Sequence, residues 1–350
     1  MTLEIFWFCL IGVFWATYFV LEGFDFGVGM LLPFVARDDE DRRTMLSAVG
    51  PVWDGNEVWL VIAAGATFAA FPAWYATMFS GFYLALLLIL VLLIVRVLSF
   101  EWRERRDGER WQRRWWQLNV VSSVGVPFLW GLALASLLQG VPLNGDHHFT
   151  GTVLDLIGPY SVLAGAATVL LFALHGATFL TLRTSGGLHD RAVAAARRLR
   201  LVAAVVVIGF LVATVVVATT RNDRDVVAPL IPAVVGAGAM ALAVLFLVRG
   251  RSGRAFAASA VAAASMVAAI FAGLYPRVIV SHPDVGNSLT VADAASAHYA
   301  LSVITVVGAL CLPVVLLYQG WTYHVLRARL AGRSATTSAS IAPEPRPPAG

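Results

Sequence analysis

The sequence predicts an all-α, polytopic membrane protein, and three observations carry that expectation. Of 350 residues, 59% are hydrophobic and 13% charged, with a mean hydropathy of +0.78, far from the balance of a water-soluble domain. The apolar residues fall into about nine runs, each near the ~20 residues a helix needs to cross a bilayer. All 25 basic residues are arginine, and they cluster in alternate connections between those runs. That clustering speaks for membrane topology and against nucleic-acid binding.

The first run, 5–33, lacks a basic leader and an Ala-x-Ala site and stays apolar through Gly23 to Pro33, so it reads as a retained helix. The second and third, 56–73 and 76–100, are separated only by the turn Phe71-Pro72-Ala73. The remaining runs are 118–140, 155–183, 200–220, 227–249, an alanine-rich 255–275, and 299–326. These make one membrane domain over 1–330. The Ser-, Thr-, Pro- and Ala-rich stretch 331–350 has no apolar face to bury and reads as a disordered tail.

Arginine counts orient the array. One side receives Arg37, Arg42 and Arg43; the run from Arg103 to Arg114; Arg183 to Arg200; Arg249, Arg251 and Arg254; and Arg327, Arg329 and Arg333. The other receives Arg221, Arg224 and Arg277. Arginine-rich connections stay in the cytoplasm, so the N-terminus is expected outside and the C-terminus inside. Trp102, Trp111, Trp115 and Trp116 interleave with arginines in the third connection, as befits a segment at headgroup depth that meets anionic membrane lipids. Cys9 and Cys311 sit in apolar runs without ligand spacing and are expected to be packing residues.

Charges inside a span are costly and mark the places where function is expected. Glu22 and Asp25 lie three apart in Leu21-Glu22-Gly23-Phe24-Asp25-Phe26-Gly27-Val28-Gly29, on one helical face. Gly23 and Gly27 form a GxxxG spacing that admits a neighbouring helix closely. Asp25 falls roughly 12 Å from the expected end of its helix near Pro33. A second pair, Asp54 and Glu57, stands in Gly50-Pro51-Val52-Trp53-Asp54-Gly55-Asn56-Glu57-Val58-Trp59. Here Asp54 is a candidate N-cap with Glu57 completing a capping-box-like arrangement. Arg96 falls on the same side, to pair with one of these acids or to snorkel to the interface. Each pair reads either as a proton relay or as hydrogen-bonded groups at a helix contact.

A membrane b-type haem commonly uses two axial histidines at matched depth. His175 alone lies well inside a span, while His147, His148, His189, His282, His298 and His324 fall in connections or toward span ends. No haem site is expected in this chain. No phosphate-binding loop, nucleophile elbow or HExxH is present in a plausible context. From the residues alone, a secondary transporter or ion channel using the same buried carboxylates stands as the alternative to a subunit of an oxidoreductase.

Taken together, Glu22 to Gly29, Trp53 to Trp59, Phe79-Ser80-Gly81-Phe82-Tyr83 leading to Arg96, and Leu138-Gln139-Gly140-Val141-Pro142 resemble, in order and spacing, the cytochrome bd oxidase subunit II family. The likeness continues less sharply through Gly176-Ala177-Thr178 and from Ser288-Leu289-Thr290 to Asp293-Ala294, covering all but the tail. The resemblance implies two four-helix bundles plus a peripheral helix in a bacterial cytoplasmic membrane. It implies a haem-free subunit packed against subunit I, which holds haems b and d. The complex would oxidise quinol and reduce O2 to water with protons drawn from the cytoplasm. Carried over by position, Asp25 and Asp54 match acids of a proposed proton path, with Glu22 and Glu57 one helical turn from each. Some relatives have glutamine at the place of Glu57, so no essential role is implied there. Small accessory single-helix subunits, and a structural quinone or lipid held within this subunit, also occur among relatives.

Overall fold

The computed structural model describes residues 2–106 and 108–325. The expected tail 331–350 and Arg327, Arg329 and Arg333 lie outside the described residues. Twelve helices are found among them: α1 (Leu3–Val35), α2 (Asp39–Val49), α3 (Trp53–Ala70), α4 (Pro72–Gly81), α5 (Tyr83–Glu101), α6 (Glu109–Gln139), α7 (Pro159–Arg183), α8 (Gly186–Arg221), α9 (Val227–Val248), α10 (Ser252–Leu274), α11 (Val291–Ala294) and α12 (His298–Val325). Eight of these are long and apolar enough to cross a membrane, and the bent pair α3 and α4, counted as one span, makes a ninth.

Three boundaries depart from the hydropathy reading. At Phe71 the chain bends by 120° between α3 and α4. Pro72 opens α4 at a position where its missing N–H costs nothing. The third crossing therefore starts at Tyr83, not near 76. The arginine- and tryptophan-rich connection is largely helical, because α6 begins at Glu109 instead of near 118. Likewise α8 begins at Gly186, ahead of the apolar run from 200. Arginine, glutamine and alanine are good helix formers, so hydropathy marks the bilayer edge and not the helix end. The extension of α8 is tied down by Arg191, whose Nε donates to the carbonyl of Val35 at 2.7 Å and whose Nη2 pairs with Asp41.

At the opposite end, a short antiparallel pair that sequence periodicity does not reveal, β1 (Arg277–Ile279) with β2 (Leu289–Thr290), sits beside the end of α6. The amide of Val280 donates to Leu137 and that of Val141 to Val280, at 2.9 and 3.0 Å.

Helix α1 is the central element. It packs against α3, α6, α7 and α10, and from Glu22 to Leu32 every residue is buried. Helix α12 is its opposite, with Leu301 as its buried residue and α3 and α1 as its neighbours. Cys9 and Cys311 are exposed on the apolar surface. Expected as packing residues, they are thus not packed inside this chain, and Cys9 lines a groove between α1, α9 and α10.

Candidate buried carboxylate site

The site forms where α1 passes between its neighbours. Close approach comes from glycine. A Cβ at Gly27 would stand 1.9 Å from the carbonyl oxygen of Phe172 and 2.8 Å from Cα of Gly176, so α1 and α7 meet backbone to backbone. At Gly23 a Cβ would meet the Phe172 ring at 2.8 Å. The GxxxG surface thus faces α7, and van der Waals contact between backbones is the attraction such spacing provides in lipid.

This packing carries Glu22 and Asp25 out of reach of solvent, at 0% and 1% exposure. Arg96 of α5 is equally buried, and its Nη1 donates to Glu22 Oε1. The guanidinium also lies 4.2 Å from the centroid of the Phe26 ring and 5.5 Å from that of Phe100, a cation–π arrangement that offsets part of its desolvation. Behind it, Ser99 Oγ donates to the Arg96 carbonyl at 2.6 Å and accepts from Asn119 Nδ2 at 2.7 Å. Arg96 is a paired charge of the site and does not snorkel. A buried ion pair gives little net stability, but removal of one partner strands the other charge.

Asp25 is held from a different side. Asn56 Nδ2 donates to Asp25 Oδ2 at 2.8 Å and to the Leu21 carbonyl at 3.3 Å. Asn56 Oδ1 in turn accepts from Gln319 Nε2 at 2.9 Å and from the Tyr323 hydroxyl at 2.7 Å, both on α12.

The second acidic pair is divided by the fold. Glu57 is half-buried and within electrostatic reach of Arg96, whereas Asp54 is exposed in the first turn of α3. The N-cap is Val52, and no side chain caps the helix. The capping-box arrangement is therefore not formed, because α3 starts two residues too early for Asp54 to occupy the cap.

His175 on α7 is fully buried and stacks on Phe256 at 4.4 Å. Its Nε2 lies 3.1 Å from the Val20 carbonyl and its Nδ1 2.7 Å from Ser259 Oγ. A carbonyl only accepts, so in the neutral ring Nε2 carries the hydrogen and Nδ1 is the acceptor facing the Ser259 hydroxyl, which also lies 2.9 Å from the Phe256 carbonyl. Both ring nitrogens are engaged in joining α1, α7 and α10. Among the described residues, no group of three or more His, Cys, Asp or Glu side chains could hold a metal ion.

Sequence reasoning therefore named Glu22, Asp25 and Arg96, which the structure brings together, and Asp54, which it leaves at the surface. It missed Asn56, Gln319 and Tyr323. Their only signal was polarity: Asn56 inside the Trp53 to Trp59 motif, and Gln319 and Tyr323 one turn apart in an apolar run.

Comparison with known proteins agrees with this architecture. The chain is 37% identical over 332 residues to cytochrome bd ubiquinol oxidase subunit 2 of Bacillus subtilis (strain 168), covering 95% of this chain and 98% of that protein. It is 34% identical over 361 residues to cytochrome bd-I ubiquinol oxidase subunit 2 of Escherichia coli (strain K12), covering 94% and 95%. A chain in the structure of bd oxidase from Geobacillus thermodenitrificans superposes with a TM-score of 0.73 at 20% identity, over 91% of this chain and 98% of that one, and so shares the fold. The sequence profile of one family, described as cytochrome bd terminal oxidase subunit II, matches residues 3–326. With that match over nearly the whole length and relatives above 30% identity, the chain belongs to the cytochrome bd terminal oxidase subunit II family.

Proposed function

We propose that this chain is the haem-free membrane subunit of a quinol:O2 oxidoreductase and that its buried carboxylates carry protons from the cytoplasm toward the partner subunit. The family assignment takes the place of the transporter or channel alternative. In this reading the chain sits in a bacterial cytoplasmic membrane with its N-terminus outside, as the arginine distribution supports. Subunit I supplies haems b and d, which deliver quinol electrons to O2, and small single-helix subunits complete the assembly. The two-bundle arrangement is part of this reading, with α12 as the peripheral helix.

One observation carries the proposal: two carboxylates and an arginine are buried together, a half-buried acid, Glu57, lies within electrostatic reach of that arginine, and an exposed acid, Asp54, stands three residues before Glu57 on α3. Asp54 is placed to collect protons from water. Glu57, on the same helix and within reach of Arg96, stands between the surface and the interior. Asp25 and Glu22 then hold the proton in an environment where Arg96 offsets their negative charge. A carboxyl group that can exist in either form, fixed by hydrogen bonds and shielded from bulk water, is the element such a relay requires.

The chain also offers a place for a structural quinone or lipid. An apolar groove of about 960 Å³ runs between α1, α9 and α10, with Arg224 and Tyr275 at its outer end and Val20 and Leu21 at its inner end. A long isoprenoid or acyl chain suits its lining.

The test of the proton path is Asp25→Asn and Asp54→Asn in the assembled complex. Both variants are expected to consume O2 more slowly with quinol while haem spectra stay as in the wild type. Wild-type turnover in both removes the proposal.

A further inference from the structure

Asn56 stands within a motif whose acids attract the functional reading, yet it is the residue of that motif that the fold buries completely, at 0% exposure. Its carboxamide is saturated, with Nδ2 bonded to Asp25 and Leu21 and Oδ1 to Gln319 and Tyr323. Its orientation is dictated by these partners. The Leu21 carbonyl can only accept, so the nitrogen must face α1 and the oxygen must face α12. Helices α1, α3 and α12 thus share one side chain. For α12 this matters because the helix has little else to hold it: its buried residue is Leu301, and Thr305 accepts from Trp7 Nε1 at 2.9 Å near its other end.

We propose that Asn56 is a positioning residue for Asp25, and that it links the orientation of that carboxyl group to the cytoplasmic half of α12 through Gln319 and Tyr323. The proposal rests on the proton-path reading above. Asp25 Oδ2 is occupied by the Asn56 amide, which leaves Oδ1 as the oxygen that takes up and releases the proton. On uptake, an O–H bond forms at Oδ1, the bond to the donor oxygen breaks, and the carboxylate becomes neutral. Release reverses the step. The carboxamide does not carry the proton, since that would convert it to an imidic acid; it fixes which oxygen is free. A displacement of α12 pulls on Asn56 Oδ1 and so turns the amide that holds Asp25. In this way the least embedded of the described spans reaches one of the two buried acids of α1.

The experiment uses the whole complex carrying Asn56→Ala, Gln319→Leu or Tyr323→Phe. Infrared difference spectra follow the Asp25 carboxyl band, identified by its loss in Asp25→Asn, and O2 consumption is recorded against pH. Asn56→Ala is expected to move the band and displace the pH profile. Gln319→Leu and Tyr323→Phe move the band less, because they loosen the amide without removing it. An unmoved band and pH profile in assembled Asn56→Ala overturn the proposal. Should that variant fail to assemble, the same null result in the Gln319→Leu/Tyr323→Phe double variant overturns it. An unmoved band together with a slow Asp25→Asn enzyme removes the positioning role and leaves the proton path standing. Wild-type turnover in Asp25→Asn removes the proton path, and the proposal with it, since no proton-bearing group is left to position.

Discussion

The two acidic pairs of this chain have the same spacing and opposite surroundings. Glu22 and Asp25 are buried in the middle of α1, which is enclosed by α3, α6, α7 and α10. Asp54 and Glu57 begin α3, where one acid is exposed and the other half-buried. Spacing put each pair on one helical face, but enclosure by other helices decided which pair would need a buried cation. Arg96 accordingly pairs with Glu22, and the cost of stranding a charge falls first on that pair.

The largest test of this contrast is Arg96→Ala, which leaves Glu22 buried beside Asp25 without its cation. A loss of about 3–5 kcal/mol is expected, read as a lowered yield and thermal midpoint of the purified complex. Asp54→Asn should stay within about 0.5 kcal/mol of the wild type, as a surface change. Equal effects would break the comparison.

A pair of glycine substitutions follows. Gly27→Ala drives a methyl group into the Phe172 carbonyl at 1.9 Å, and a loss of about 1–3 kcal/mol or more is expected from overpacking. At Gly55, the nearest atom to an added Cβ is Gln319 Oε1 at 3.5 Å. Gly55→Ala is therefore expected to be neutral, or to gain up to about 1 kcal/mol from helix propensity. Thermal unfolding of the two complexes in parallel checks both.

Turnover sharpens the contrast further. Asp25→Asn is expected to slow quinol-driven O2 consumption by about tenfold, or ~1.4 kcal/mol in barrier. Asp54→Asn should slow it less, because water can reach past an exposed acid. A larger effect at Asp54 would move the controlling step to the surface.

Asp155 gives the smallest effect and a third environment. It is an exposed acid whose carboxyl accepts from the Thr152 amide at 2.6 Å and hydroxyl at 3.0 Å, bonds that hold its pKa below the usual carboxylate value. A depressed folded value means these bonds contribute above the unfolded value, near ~3.9. Their contribution is lost as pH falls through the lower folded value. Protection of the Thr152 amide from exchange, relative to an unstructured amide at the same pH, is expected to fall on acidification through that range, and Asp155→Asn should remove the dependence.

How much of this was legible depended on the kind of signal. The crossings were, because ~20 apolar residues in succession have few other uses. The Phe71-Pro72 break was visible as a turn, yet not as a 120° bend, since proline ends a helix without stating the next direction. Glu22, Asp25 and Arg96 stood out because charge in an apolar run is rare. Asn56, Gln319 and Tyr323 did not, because uncharged polar residues near span ends are ordinary. The Gln319 bond to Asn56 joins residues 263 apart in the sequence, which no local pattern encodes.

By itself, then, the sequence determined that this chain spans a membrane many times, which side its arginines favour, and which charges must find partners. These follow from solvation, which acts on each segment where it stands. Which partner each charge found was decided by the tertiary structure alone: Arg96 for Glu22, Asn56 for Asp25, and solvent for Asp54. That choice depends on how closely helices distant in sequence approach, and here the approach is governed by Gly27 against Gly176 and by where α12 comes to rest.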